Sequence, residues 1–358
     1  MAPCRSRSSP TRRSLPSSKP ISIESASPEQ TRRGTEVGPA RRRRSDFSLE
    51  NARLFDRSVI LLVPVVALEL AVFFLPLLYV FKQSFYDWEP GAVSTFLGWE
   101  NYSTLFAESE FWQVVQNQIF YLSGLPLWVL TPLMVAYMLR ERVPRAGLFR
   151  TIYFIPTVMS PAIVGLVFRS LLQDDGPINA SLRLIGLGAL AQPWLTDASL
   201  VKPVIIVLVL WAGFGTGVLI FSSALSAVPQ EQFEAARIDG AGYWKELWYI
   251  AIPWIRPTIV LWTLFQVVSI FLFMFSWVYV LTNGGPGLAS TTMDFFVYQT
   301  FITFGFFGSA AAQSVVLVAM VVIVALIFVI LGRALSFISS RREAADVVIR
   351  DAPIESVR

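Results

Sequence analysis

Six stretches of the chain stay apolar for about the twenty residues that a helix needs to cross a hydrocarbon core. They run over 59–81, 115–139, 149–172, 203–225, 257–281 and 312–332. Lipid offers no partners to backbone N–H and C=O groups, so each stretch must bond internally as a helix. The pattern predicts an all-α integral membrane protein with six transmembrane helices. Pro126 and Pro132 interrupt the second stretch, and Pro156 and Pro161 the third. Each removes a ladder bond and tends to kink its helix, either as a gating feature or as a packing feature.

The polar segment between the fourth and fifth stretches has a pattern of its own, over residues 227–253. Pro229 suits the first position of a helix, where its missing N–H is harmless. Glu231 and Glu234 then fall in the opening turns, where negative charge suits the helix dipole. Asp239, Gly240 and Gly242 supply a turn, since glycine accepts left-handed backbone angles. Trp244, Leu247, Trp248 and Ala251 follow at i, i+3, i+4 and i+7, one face of a second helix. Pro253 and Pro257 are expected to end that element and begin the next span. The result is a helix–turn–helix on the membrane surface. It serves either as an interfacial seal on the bundle or as a docking element.

Charge gives this pattern an orientation. Of the 29 Lys and Arg, 13 lie before residue 58. Arg140, Arg142, Arg145 and Arg150 follow the second stretch, Arg237, Lys245 and Arg256 lie within 227–256, and five more arginines begin at Arg333. In contrast, 82–114 holds only Lys82, 173–202 holds Arg183 and Lys202, and 282–311 has no basic residue. The positive-inside rule therefore puts both termini and the 227–256 loop in the cytoplasm. The tail 1–57, with its Arg41–Arg44 run, reads as a disordered basic flank that touches anionic lipid rather than nucleic acid. Its apolar neighbour is too long and too late for a signal peptide. Whether the tail is functional or precedes the true start stays open.

Composition agrees and excludes other chemistry. Hydrophobic residues form 54% of the chain and charged residues 15%, against about a quarter in soluble domains. Histidine is absent and Cys4 is the only cysteine, so the commonest metal ligand and any intrachain disulfide are ruled out. No catalytic or metal-binding residue is assigned. A secondary transporter or channel is the first alternative, although Glu69 is the only carboxylate deep inside a span. An integral membrane enzyme is the second, although the acids of 82–114 have no metal-like spacing.

Glu234-Ala235-Ala236, Asp239-Gly240-Ala241 and Ile250-Ala251-Ile252-Pro253 together resemble the EAA motif of ATP-binding-cassette importer permeases. Gly98-Trp99-Glu100-Asn101-Tyr102, Ile155-Pro156, Ser160-Pro161, Gly176-Pro177-Ile178-Asn179, Trp194-Leu195 and Asn283-Gly284-Gly285-Pro286 are similar to the carbohydrate-type branch. Ile252, Leu247, Gln118 and Phe168 are mild departures from that pattern. The resemblance implies a type I permease fold with a cytoplasmic coupling helix, set in a bacterial cytoplasmic membrane. It implies import of a sugar or sugar-like solute of oligosaccharide, disaccharide, polyol or glycerol-phosphate type. It implies the organisation 1–57 tail, 58–112 first helix and external loop, 113–333 permease domain and 334–358 tail. It also implies a second permease subunit, an ATPase dimer that holds ATP and Mg, and an extracellular solute-binding lipoprotein as partners. The absence of a phosphate-binding glycine loop here fits nucleotide chemistry on another polypeptide, with no cofactor on this chain. Glu234 would touch the ATPase and Gly240 would shape the turn, so Glu234→Ala and Gly240→Ala are expected to abolish import. The residues 234–236, 239–241, Ile250 and Pro253 form the coupling set. Trp211, Thr216, Gln266, Ser269, Ser276 and Trp277 are the candidates for the solute path, because a sugar needs polar groups and aromatic faces.

Overall fold

The computed structural model describes residues 62–91, 93–140 and 146–350. The tail 1–57, the charged residues within 141–145 and the final residues 351–358 lie outside the described residues. The chain divides into two units, 1–65 and 66–358, and all elements but the start of the first helix belong to the second.

Helix α1 (Leu62–Gln83) is followed by a two-residue antiparallel pair, β1 (Tyr86–Asp87) and β2 (Thr95–Phe96). Next come α2 (Glu100–Ala107), α3 (Ser109–Met138), α4 (Ala146–Val158), α5 (Pro161–Leu171) and α6 (Pro177–Leu184). Then follow α7 (Val201–Ser226), α8 (Gln230–Ile238), α9 (Tyr243–Leu272), α10 (Phe275–Leu281), α11 (Met293–Tyr298) and α12 (Phe307–Arg350). Five of these, α1, α3, α7, α9 and the first part of α12, are long and apolar enough to cross a membrane. The expected count of six is reached only if the bent pair α4 and α5 forms one span.

Three expectations from the apolar pattern need correction. The stretch 149–172 is not one straight helix: α4 and α5 meet at a 100° bend. Ser160 is extended there, with φ −62° and ψ 134°, because the ring of Pro161 disfavours a helical residue before it. The stretch 257–281 is also broken, since α9 stops at Leu272 and α10 starts afresh at Phe275. Finally, Pro253 does not end the surface element. A π turn at Leu247–Ala251 lies directly before it, and the helix runs through Pro253 and Pro257 into the span. Widening the helix by one residue per turn relaxes the clash that proline makes with the preceding turn.

The bundle is organised around α7, which packs along α3 and α4, while α12 packs on α9 and on Leu75–Gln83 of α1. Lipid is as apolar as leucine, so close packing and cross-helix hydrogen bonds must supply the adhesion. Small residues permit that closeness. A Cβ on Gly217 would lie 2.8 Å from Pro132, and one on Gly215 would lie 2.3 Å from the Tyr153 carbonyl. A glycine on the facing helix thus makes room for the ring of Pro132 inside α3. Trp128 Nε1 donates to the Ile206 carbonyl at 3.0 Å across the same seam. Glu69 stays exposed on α1, next to a π turn at Leu70–Phe74.

Candidate functional site

The loop between α7 and α9 folds as the helix–turn–helix its sequence predicts. Pro229 precedes the first helical residue rather than occupying it, and Glu231 lies in the first turn of α8. The helix ends at Gly240, whose φ of +79° is the left-handed conformation that glycine adopts without strain. Gly240 N–H donates to Arg237 O at 3.1 Å and Ala241 N–H to Ala236 O at 2.9 Å. This pair of bonds is the Schellman arrangement, which satisfies carbonyls that a helix end otherwise leaves open. Gly242 has ordinary extended angles, φ −79° and ψ 166°, and simply caps α9.

Beneath the turn the loop is clamped. Phe233 is fully buried, and the Arg140 guanidinium sits 3.2 Å from its ring centroid. Tyr137 and Tyr243 rings lie 4.7 Å apart, and Tyr137 Oη donates to the Tyr243 carbonyl at 3.3 Å. The strongest tie joins the two helices to each other. Arg237 Nε donates to Glu246 Oε1 at 2.8 Å and Nη2 to Oε2 at 3.3 Å. Glu246 is almost wholly buried, with 3% of its side chain exposed against 48% for Arg237. This fork geometry holds the second helix at a fixed angle to the first.

The coupling set is split by exposure. Glu234, Ala235, Asp239, Gly240 and Pro253 are exposed, while Ala236, Ala241 and Ile250 are half-buried. Ile238 projects with 87% of its surface free, and Trp244, Trp248 and Tyr249 are exposed too. That last fact corrects the expected apolar face. Leu247 and Ala251 are buried but the two tryptophans are not. The inward stripe runs through Tyr243, Glu246, Leu247, Ile250 and Ala251, rotated off the tryptophans, with Glu246 held inward by Arg237. Glu246 and Arg237 were not singled out by sequence, because nine residues and a turn separate them and no helical spacing links them.

The solute-path candidates are not gathered around one cavity. Trp211 lies edge-on to Phe168 with centroids 5.3 Å apart, on the seam of α7 with α5. Trp277 is buried on α10, and Thr216, Gln266, Ser269 and Ser276 are partly buried on three different helices. None of the six lines either of the two larger cavities. One of these, of about 880 Å³, opens between α4 and α7 and is lined by Tyr153, Met159, Ser222, Ser223 and Ser226. The serines at 222 and 226 stand at i, i+4, a signal the sequence carried without drawing notice.

A second polar centre holds the segment between α10 and α11. Asn117 Nδ2 donates to the carbonyls of Leu288 and Thr291, at 2.7 and 3.0 Å, and Lys202 Nζ donates to Asn117 Oδ1 at 2.9 Å. Gln118 bridges the Ile270 carbonyl, 2.8 Å away, and the Met293 N–H, 3.1 Å away. Tyr121 Oη donates to the Ser290 carbonyl at 3.1 Å. Asp294 accepts from Thr292 Oγ1, from Phe295 N–H at 2.8 Å and from Phe275 N–H at 2.6 Å. It thus caps two helix N-termini at once. Burial outweighs those donors and pushes its carboxyl up to about 6. Among the described residues no group of His, Cys, Asp and Glu is placed to hold a metal ion.

Comparison with known proteins fits this architecture. The model of the family described as "binding-protein-dependent transport system inner membrane component" matches residues 53–343. The lactose transport system permease protein LacF of Rhizobium radiobacter is 33% identical over 266 residues, 73% of this chain and 88% of that protein. The arabinooligosaccharides transport system permease protein AraP of Bacillus subtilis is 31% identical over 268 residues, 73% of this chain and 83% of that one. The fold is shared with a chain from a bacterial transporter that imports the acidic polysaccharide alginate. That likeness has a TM-score of 0.67 at 21% identity and covers 80% of this chain and 98% of the other. With its apolar helices, its clamped helix–turn–helix and a family match along most of its length, the chain belongs to the inner-membrane components of binding-protein-dependent transport systems.

Proposed function

We propose that this chain is one of two permease subunits in an ATP-driven importer of a sugar or oligosaccharide. The observation that carries this reading is the 229–253 loop. It presents Glu234, Ala235 and Ile238 on a short helix fixed by the Gly240 turn and the Arg237–Glu246 pair. A helix so clamped moves as a rigid lever, so a push on its exposed face reaches α7 and α9 without being lost in a flexible loop. The partner that pushes is an ATPase dimer, which carries the ATP and Mg, because the chain has no phosphate-binding glycine loop. The basic segments orient this loop and both termini toward the cytoplasm. An external binding protein delivers the solute, and each partner biases one of two states of the bundle.

The solute class rests on the relatives' names, lactose for one and arabinooligosaccharides for another. Trp211, Thr216, Gln266, Ser269, Ser276 and Trp277 are proposed to line its route, with Ser222, Ser223 and Ser226 added from the α4–α7 cavity. The test is uptake into vesicles that hold the permease pair and its ATPases, supplied with the binding protein and labelled sugars. Uptake should require internal ATP, and Glu234→Ala should abolish it while the complex still assembles. Uptake that continues without ATP would overturn the reading in favour of a secondary carrier.

A further inference from the structure

A cavity of about 500 Å³ lies where α2 and the start of α3 meet α11 and the start of α12. That volume is within the range of ligand sites. Its lining includes Glu108, Glu110, Ser309, Gln313, Phe304 and Phe306. Gln313 is only 3% exposed, and its Oε1 accepts no hydrogen bond. A buried acceptor without a partner is costly, and a donor entering the adjoining cavity offers it one once the amide turns outward.

The rest of the lining asks for the same kind of group. Glu108 and Glu110 bring two carboxylates to the cavity, and no Lys or Arg is among its lining residues. Burial, and then the charge of Glu110, raise the Glu108 carboxyl above its ordinary value, as two like charges without a counter-ion should. Two of the donors nearby are already engaged. Asn101 Nδ2 donates to the carbonyls of Ser84 and Tyr86, at 2.9 and 3.1 Å, and Thr300 Oγ1 donates to Phe296 O at 3.1 Å. The charged groups at the cavity are all acceptors, and the hydroxyls of Thr104, Ser109 and Ser309 can accept as well as donate. Phe304 and Phe306 stand with more than half of their surface free, as rings that can flank a planar cation.

We propose that this cavity receives an arginine side chain presented by the solute-binding protein when it docks on the external face. A guanidinium carries five donors in a plane and stacks on aromatic rings, which matches two carboxylates, a lone amide oxygen and two phenylalanines. The segments around the cavity, 83–114 and 282–311, hold no basic residue of their own, so the cation must come from a partner. The proposal rests on the permease reading above and names the contact that recruits its delivery protein.

The experiment uses the whole complex in proteoliposomes and follows ATP hydrolysis as the solute-loaded binding protein is titrated in. The double variant Glu108→Gln, Glu110→Gln should raise the half-saturating concentration about tenfold or more, with the maximal rate kept. Its salt dependence should flatten, because the screened charge pair has been removed. Gln313→Leu should weaken docking in the same direction without changing the salt dependence. An unchanged half-saturating concentration in the double variant overturns the proposal. Failure of the complex to assemble overturns it by putting the second permease on this face. Free sugar bound by the wild-type complex and lost in the double variant overturns it in favour of a saccharide subsite. A wild-type ATPase that no binding protein stimulates overturns instead the functional reading beneath it.

Discussion

The loop from Gln230 to Ala251 and the segment from Phe273 to Phe306 are both irregular links beside spans. Apart from the Tyr137 and Arg140 contacts beneath it, the loop is shaped locally, whereas the segment hangs on distant helices. In the loop the key bonds join residues close in sequence: Ala241 to Ala236, Gly240 to Arg237, and Arg237 to Glu246. In the segment they reach across the chain. Asn117 meets Leu288 and Thr291, Gln118 meets Met293, and the sequence separations exceed 170 residues. A locally tied element keeps its own shape and transmits a push as a unit. An element tied through distant helices keeps its shape only while those helices hold their places, so it reports on the bundle.

The contrast can be broken most strongly at Gln118. Gln118→Leu removes the partner of two buried backbone groups, and the purified complex should lose about 2–4 kcal/mol of stability, read by thermal unfolding in detergent. Unchanged unfolding would show that the segment does not depend on α3. Arg237→Ala leaves Glu246 buried without its counter-ion. The cost is about 2 kcal/mol, less than for a fully buried pair because Arg237 is half exposed. Adding Glu246→Leu to that variant should restore most of the loss, since an apolar residue needs no partner.

Asp294→Asn should cost about 1–2 kcal/mol, because an amide can no longer accept from the two helix N-termini together. It should also change the pH profile. A carboxyl raised to about 6 when folded binds its proton more tightly there than in the unfolded chain. Its stabilising contribution is complete below the ordinary Asp value near 4 and is lost as pH rises through about 6. The stability difference between wild type and Asp294→Asn should therefore shrink over that interval, and a flat difference would remove Asp294 as its source.

Gly240→Ala should cost about 1 kcal/mol, all of it backbone strain, because nothing lies within 4 Å of where the new Cβ would be. Import should fall by more than that loss accounts for, since the turn sets the direction of α8. Glu234→Ala sits at the end of the series, with a stability change within about 0.5 kcal/mol for an exposed side chain. Transport is the measurement that matters there. Full loss of import with unchanged unfolding would separate force transmission from folding, and wild-type import would sink the coupling role.

The sequence was most legible where bonds are local. The apolar runs predicted helices at the right places, and Gly240 predicted a left-handed turn because glycine takes that angle without strain. Its reading failed at the breaks. Pro161 disfavours a helical Ser160, but nothing in the residues says that α4 and α5 should bend by 100° rather than kink slightly. The fresh start of α10 at Phe275 is held by Asp294 taking the Phe275 N–H, a partner 19 residues away. Trp244 and Trp248 lie off the buried face because that face runs through Glu246, Leu247 and Ala251, and an acid does not count toward an apolar stripe.

Sequence alone thus determined which segments are apolar helices, how charge is shared between the loops, and the shape of one surface turn. These follow from backbone sterics and from the cost of polar groups in lipid, which act residue by residue. The tertiary structure alone decided that Glu246 is buried against Arg237, that Asn117 and Gln118 anchor a segment far along the chain, and that Gln313 faces a cavity with two glutamates. Each of those depends on which surfaces meet, and close packing between helices, not local preference, chooses the meeting.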